Sequence, residues 1–166
     1  MSCSLRPVGR AQRARLERLT AATGLFRPDE VAIAVELLDA SLSGDDDYHF
    51  LGGYLGDELV GYTCWGPTPG TQGTYDLYWI VVDRARQGKG VGTALLRAVE
   101  ERLTTGNGRQ IVVETSSRAE YASTRAFYER RGYVAAARLP SYYAAGDDLV
   151  IYLKDLTHGA LARATP

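Results

Sequence analysis

Ile80-Val81-Val82-Asp83-Arg84-Ala85-Arg86-Gln87-Gly88-Lys89-Gly90-Val91-Gly92-Thr93-Ala94-Leu95-Leu96 is the run on which the fold turns. A β-branched stretch ends at Asp83, glycine fills three of the five positions from 88 to 92, and an apolar pattern of helical spacing follows. This is a strand, a tight turn and the start of a long helix. The first N–H groups of a helix have no partner inside it, and the helix dipole favours negative charge there. Glycines let the backbone approach a ligand closely and take positive φ, so the turn reads as an anion cradle. Two familiar phosphate motifs do not fit. A P-loop needs glycine where Asp83 stands and Ser or Thr where Gly90 stands. The dinucleotide fingerprint needs glycine or alanine at Thr93. The competing reading is that these glycines only allow close strand-to-helix packing.

Outward from this turn, residues 74–82 form a predicted strand. Val91, Ala94, Leu95, Ala98, Val99 and Leu103 line a helix over 90–103, glycines at 106 and 108 close it, and 110–115 form the next strand. A strand, a helix and a strand in that order make a right-handed crossover with the two strands parallel. Upstream, 11–22 is predicted as a helix whose face carries Ala14, Leu16, Leu19 and Ala22, and 28 to about 42 as a second with Val31, Val35, Leu38 and Leu42 inward. Residues 48–55 and 58–65 read as a hairpin turned by Gly56-Asp57, and 67–73 as a loop. Downstream come a helix over about 120–131, stopped at Gly132, and strands over 134–138 and 149–153. The expected fold class is mixed α/β (α+β): a central, mostly antiparallel sheet with one parallel crossover, flanked by about four helices.

Composition narrows the function classes. The chain has 166 residues, 45% of them hydrophobic, which suits one domain over 1–166, with a core over about 6–154 and a tail over 157–166 that lacks a period. Nineteen basic and twenty acidic side chains leave a net charge of -1, so nothing draws the chain to nucleic acid or anionic lipid. Arg10, Arg13, Arg15 and Arg18 read as the solvated face of the first helix. Two cysteines, Cys3 and Cys64, are too few for a disulfide framework, and residues 1–15 lack an apolar signal core. No stretch reaches membrane-spanning length, and the expected location is cytoplasmic. His49 and His158 have no second ligand at metal spacing, so no metal is implied.

The segment Gln87-x-x-Gly90-x-Gly92 after Ile80-Val81-Val82-Asp83 resembles the coenzyme-A motif of the GNAT superfamily of N-acetyltransferases. Ala126-Phe127-Tyr128-Glu129-Arg130-Arg131-Gly132-Tyr133 is similar to the Phe-Tyr-x-x-x-Gly-aromatic segment of that superfamily. The element order extends the likeness from about Arg6 to Lys154. The resemblance implies a GNAT-like fold, acetyl-CoA as cosubstrate and an amine as acceptor. It implies that the amides from Gln87 through Gly88, Lys89, Gly90, Val91 and Gly92 to Thr93 hold the pyrophosphate, and that Ile80 and Val82 bond the pantetheine arm through their main chain. Homodimers are common in that superfamily, and only the resemblance raises that expectation here. One departure stands out: the position seven before Tyr128, often asparagine in the superfamily, is Tyr121. Ser117, Ser123 and Arg125 are the nearby polar residues that could reach the coenzyme instead, or be ordinary surface residues.

Acetyl transfer to an amine needs a neutral nucleophile, stabilisation of the developing oxyanion and a proton for the departing thiolate. By resemblance, Tyr128 points at the coenzyme sulfur, either as proton donor or as hydrogen-bond donor; otherwise it is a core aromatic beside Phe127. Asp76 and Glu114 are acids in otherwise apolar strands and compete for the role of base, each open to the alternative of an ion pair with a structural arginine. Alternation puts Asp76 on the face of Tyr78, Ile80 and Val82. By the same resemblance, a main-chain amide near Ile80 to Val82 would meet the oxyanion if the strand carries the bulge of that superfamily. Cys64, in an apolar strand, reads better as a buried small residue than as a nucleophile, so direct transfer is expected. The segment from Pro140 to Asp148, with Tyr142 and Tyr143, reads either as a lining of the acceptor pocket or as an exposed turn. Two rival readings are a non-catalytic CoA-binding sensor or interaction module and a nucleotide-binding protein.

Overall fold

The computed structural model describes residues 3–157; the predicted tail over 157–166 lies, apart from Thr157, outside the described residues. Seven strands and four α-helices are found among them. These are β1 (Ser4–Pro7), α1 (Arg13–Ala22), α2 (Pro28–Leu42), β2 (His49–Leu55), β3 (Glu58–Pro67), β4 (Thr74–Val82), α3 (Val91–Thr105), β5 (Gln110–Ser116), α4 (Ala122–Glu129), β6 (Val134–Ala144) and β7 (Asp147–Asp155). The strands form one mixed, mostly antiparallel sheet in the order β1-β2-β3-β4-β5-β7-β6, with β4 and β5 parallel as the crossover requires. The chain divides into two compact units, one of residues 1–67 and 78–101, the other of 68–77 and 102–166.

In the first unit, Leu16 and Leu19 of α1 and Val35 and Leu38 of α2 pack with Tyr54, Leu59, Tyr62 and Val81. Pro28 starts α2 where a missing N–H costs nothing, and the Arg27 N–H donates to Glu30 Oε2 at 2.7 Å. The face expected for α1 is corrected: Ala14 and Ala22 are exposed, and Thr20 is buried beside Leu16 and Leu19. Thr20 can sit there because its hydroxyl bonds the Leu16 carbonyl at 2.8 Å and the Tyr62 hydroxyl at 2.6 Å. The arginine face is not simply solvated either. Arg13 forks onto Asp39, and Arg15 bonds the Leu59 carbonyl, Glu58 and Asp83. Long-range acids chose these partners, and helical spacing alone does not reveal them. Cys64 is fully buried, and burial pushes its thiol pKa up, consistent with a small packed residue.

The second unit is built on β5, whose residues Ile111, Val113 and Thr115 are buried on one face. β5 pairs antiparallel with β7, which pairs with the edge strand β6. β6 outruns its predicted end at Arg138 and continues through Pro140 to Ala144, with register shifts on the way. Proline reads as a breaker in sequence, but an edge strand tolerates it where no ladder bond is lost. β1 was not predicted at all: four residues including a terminal proline carry no alternation, and pairing with β2 alone makes them a strand.

Candidate active site

The glycine-rich turn belongs to the first unit. Asp83 caps the short turn after β4 by accepting from the Ala85 N–H at 3.0 Å, and Arg15 reaches the same carboxylate at 2.7 Å. These contacts, the backbone bond first, hold the Asp83 carboxyl below the usual carboxylate range. Gln87 Nε2 donates to the Val82 carbonyl, and Lys89 Nζ folds back onto the Ala85 carbonyl at 3.1 Å. Gly88 and Gly90 stand at φ 73° and 85°, and a Cβ built on either would meet nothing within 4 Å. Both are therefore required for backbone shape, while the space beside them is open. The first intrahelical bond of α3 runs from the Ala94 N–H to the Gly90 carbonyl at 2.9 Å, so the N–H groups of Val91 and Gly92 precede the helix ladder. Free amides, open space and a fifteen-residue helix behind them fit a diphosphate. Of the other predicted cofactor contacts, Ile80, Val82 and Thr93 are half-buried.

The second unit holds the acids and the tyrosine. The parallel ladder pairs Asp76 with Val112, so Asp76 shares a face with Val112 and, two residues on, with Glu114. That register sets the two Cα atoms about 8 Å apart, from roughly 3.3 Å of rise per residue and 4.8 Å between strands. Neither acid forms an ion pair with arginine among the described residues. Asp76 accepts a hydrogen bond from Thr68 Oγ1 at 2.8 Å, while Glu114 has no such donor there. Desolvation by the surrounding groups, and then the charge of Asp76, push the carboxyl of Glu114, a residue exposed overall, above its ordinary value. Tyr143 lies close enough to feel Glu114; burial first and that carboxylate second raise its phenol to about 12.

Tyr128 is 4% exposed and lies within 5.3 Å of the ring of Phe127, 5.3 Å of Tyr133 and 6.2 Å of Tyr152. The Tyr-x-x-x-Gly-aromatic pattern now has a physical reading. Gly132 at φ 83° ends α4, its N–H bonding the Glu129 carbonyl and the Tyr133 N–H bonding the Tyr128 carbonyl, which swings Tyr133 onto Tyr128. The Tyr128 hydroxyl has no hydrogen-bond partner among the described residues, and burial raises its pKa, so the phenol stays protonated.

Of the nearby polar residues with two readings, most are engaged within the fold. Arg125 spends its guanidinium on the Ser116 and Arg118 carbonyls, at 2.7 and 2.9 Å, and the Ser117 hydroxyl accepts from the Asp148 N–H. These groups tie α4 and β7 to the end of β5. Ser123 is exposed. The segment over 140–148 is largely strand, with its turn at Ala145 and Gly146. Its acids are already engaged, Asp147 with Ser116 and Arg118, and Asp148 with Arg138 and the Ser141 N–H. Tyr121 caps α4 and lies under the Arg118 guanidinium, 5.3 Å from its ring centre. Sequence reasoning missed Thr68, a loop residue with no local signal.

The acetyltransferase (GNAT) family matches residues 15–133. The chain belongs to that family. A GNAT-family protein of known structure from Desulfovibrio desulfuricans is 42% identical, with a TM-score of 0.88 over 93% of this chain and 99% of that one. An aminoglycoside 6'-N-acetyltransferase solved with coenzyme A shares the fold, with a TM-score of 0.75 at 18% identity over 92% and 97% of the two chains. An S-(2-succino)cysteine N-acetyltransferase of Bacillus subtilis is 33% identical over 70 residues, 42% of each chain. An uncharacterised N-acetyltransferase of Methanocaldococcus jannaschii is 36% identical over 76 residues, 45% of this chain and 47% of the other. The chain thus spans about half the length of the curated relatives it matches. No helix among the described residues is long and apolar enough to cross a membrane.

Proposed function

We propose that this protein is an acetyl-CoA-dependent N-acetyltransferase that acts on a primary amine by direct attack in a ternary complex. The observation that carries the reading is the turn over 87–92, where left-handed Gly88 and Gly90 leave open space in front of free helix N-terminal amides. Acetyl-CoA supplies an acyl group already activated as a thioester. The amides of Gly88 to Gly92 take its diphosphate, the Gln87 N–H already donating to the Arg84 carbonyl, and the main chain of Ile80 and Val82 serves its pantetheine arm and the developing oxyanion.

Of the two acids, Glu114 is the better base. It lacks a hydrogen-bond donor among the described residues and its pKa is raised, whereas Asp76 is held by Thr68. Asp76 keeps the local charge negative, which draws in an ammonium and raises the basicity of Glu114. Glu114 then accepts one proton from that ammonium. Tyr128 holds its own proton: a buried phenol raised above its ordinary value of about 10 gives up a proton to a thiolate of pKa about 8.5 only uphill. Its part is therefore to donate a hydrogen bond to the sulfur, and the second amine proton neutralises the thiolate. Two free cysteines suit a reducing, cytoplasmic setting.

The test is thermal unfolding with acetyl-CoA, CoA, ATP or NAD, followed by amine-dependent release of free thiol. Ligand at about 100 times its dissociation constant stabilises by roughly 2.7 kcal/mol, a shift of about 5–10 °C for a chain of this size. A shift with CoA and acetyl-CoA but not ATP or NAD is expected. No shift at saturation would end this reading.

A further inference from the structure

The loop over 68–73 leads into β4, and its two threonines use their hydroxyls differently. Thr71 Oγ1 donates to the Thr68 carbonyl at 2.7 Å, and the Thr71 N–H donates to the same carbonyl at 3.3 Å, so this hydroxyl helps to close the turn. The main chain of Thr68 is thereby spent: its carbonyl serves Thr71, and its N–H donates to the Thr74 carbonyl at 2.9 Å. The Thr68 hydroxyl is not needed for the turn. It reaches eight residues along the chain to Asp76 Oδ2, at 2.8 Å. The far end of the loop is clamped as well, the Gly73 carbonyl accepting from the N–H groups of Arg109 and Gln110 at 2.7 and 3.2 Å. A loop pinned at both ends presents that hydroxyl to one carboxylate in one place.

Asp76 and Glu114 share a face of the parallel pair and are close enough for the charge of Asp76 to act on Glu114, yet among the described residues only Asp76 receives a donor. A donor favours the charged form of the carboxylate it meets. Two interacting carboxylates titrate as a pair, and a single proton settles on the member whose charged form is held less well. The other charged and titratable groups around the pair leave that choice to Thr68. Arg109, at the start of β5, spends its guanidinium on the Gln72 carbonyl at 3.1 Å. Tyr78 lies two residues along β4, Tyr142 and Tyr143 come from β6, Tyr121 from the turn before α4, and Asp147 from β7. Asp147 is taken by Ser116 and Arg118, and Tyr143, raised to about 12, holds its proton.

We propose that Thr68 is a positioning residue: its hydroxyl holds Asp76 as the charged member of the pair, so that the proton taken from the acceptor ammonium goes to Glu114. One N–H bond of the ammonium breaks, one O–H bond forms on Glu114, and the freed electron pair stays on nitrogen for attack. This rests on the acetyltransferase reading above, and the experiment separates the two. The carboxyl carbons of Asp76 and Glu114 are titrated by 13C NMR without ligand in the parent, Thr68→Val and Thr68→Ser, with the unfolding midpoint and the calorimetric affinity for acetyl-CoA measured on each. In the parent the upper titration step of the pair appears chiefly on Glu114. In Thr68→Val the ratio of that step on Glu114 to that on Asp76 falls roughly ten-fold, the worth of one hydrogen bond to a charged group, while acetyl-CoA affinity is unchanged. Thr68→Ser keeps the parent ratio. A merely structural hydroxyl would lower the midpoint and leave the ratio where it is; an unchanged ratio in Thr68→Val, or an upper step carried by Asp76 in the parent, overturns the inference. If valine lowers the midpoint by more than about 5 °C, Thr68→Ala is judged by the same ratio. A parent that binds neither CoA nor acetyl-CoA overturns the acetyltransferase reading itself, whatever the carboxyls show.

Discussion

Replacing Tyr128 by phenylalanine removes one oxygen and leaves the ring contacts with Phe127, Tyr133 and Tyr152, all within 5.3–6.2 Å, in place. That oxygen makes no hydrogen bond among the described residues, so the fold loses nothing directional. Relief of an orphan hydroxyl is worth up to about 1 kcal/mol, and neutral substitutions scatter by roughly 0.5 kcal/mol. At about 2–4 °C per kcal/mol, the unfolding midpoint should move by roughly −2 to +4 °C. If the hydroxyl donates to the sulfur as charge builds, its loss should cost about 10²–10³-fold in kcat, the effect of removing one well-placed donor. Calorimetry should find CoA affinity altered by less than about tenfold. Turnover is read as thiol release at saturating acetyl-CoA and amine. Unchanged kcat with normal binding would remove Tyr128 from the reaction. A midpoint lowered by more than about 5 °C would show that the hydroxyl is bonded within the fold, contrary to the reasoning.

Gly90→Ala forces an L side chain to φ 85° without a clash and should lose roughly 1–2 kcal/mol of stability. Its methyl also enters the space assigned to the diphosphate, so CoA affinity should fall about ten- to a hundred-fold; calorimetry that finds parent affinity would displace the cradle from this turn. Gly132→Ala at φ 83° meets only Lys154 Cε at 4.0 Å, so its cost is backbone strain alone, a midpoint about 2–8 °C lower by thermal unfolding. Glu114→Gln should lower kcat and remove a pH limb lying above the ordinary carboxylate range, leaving the limb of the amine itself. The raised folded-state pKa of Glu114 contributes stability that is complete below its unfolded pKa and is lost as pH rises through the folded value. Glu114→Gln should therefore raise the midpoint relative to the parent more at pH 7.5 than at pH 4, and the opposite order would contradict the assigned shift.

Periodicity was enough for α2, for β4 and for the helix after the glycine turn, because each carries a full stripe or alternation of apolar residues between clear stop signals. Proline at 28, glycines at 88 and 90, and glycine at 132 act within a few residues of themselves, so their effect is legible in one dimension. The Gly132 closure even explains why an aromatic must follow it. Glu114 and Asp76 were nameable on local grounds, as acids in otherwise apolar strands, and Tyr128 by the resemblance of its motif.

What the letters could not carry was which partner each polar group finds. Arg13 and Arg15 looked like a solvated face because Asp39 and Asp83 are distant in sequence; folding made them anchors. Asp76 and Glu114 were equal as letters, and only the parallel register put them on one face, gave Thr68 to Asp76 and left Glu114 without a donor among the described residues. Local conformation follows from sterics and hydrophobic period within a few residues. Hydrogen-bond satisfaction and charge environment are long-range sums, and they exist only once the chain has closed on itself.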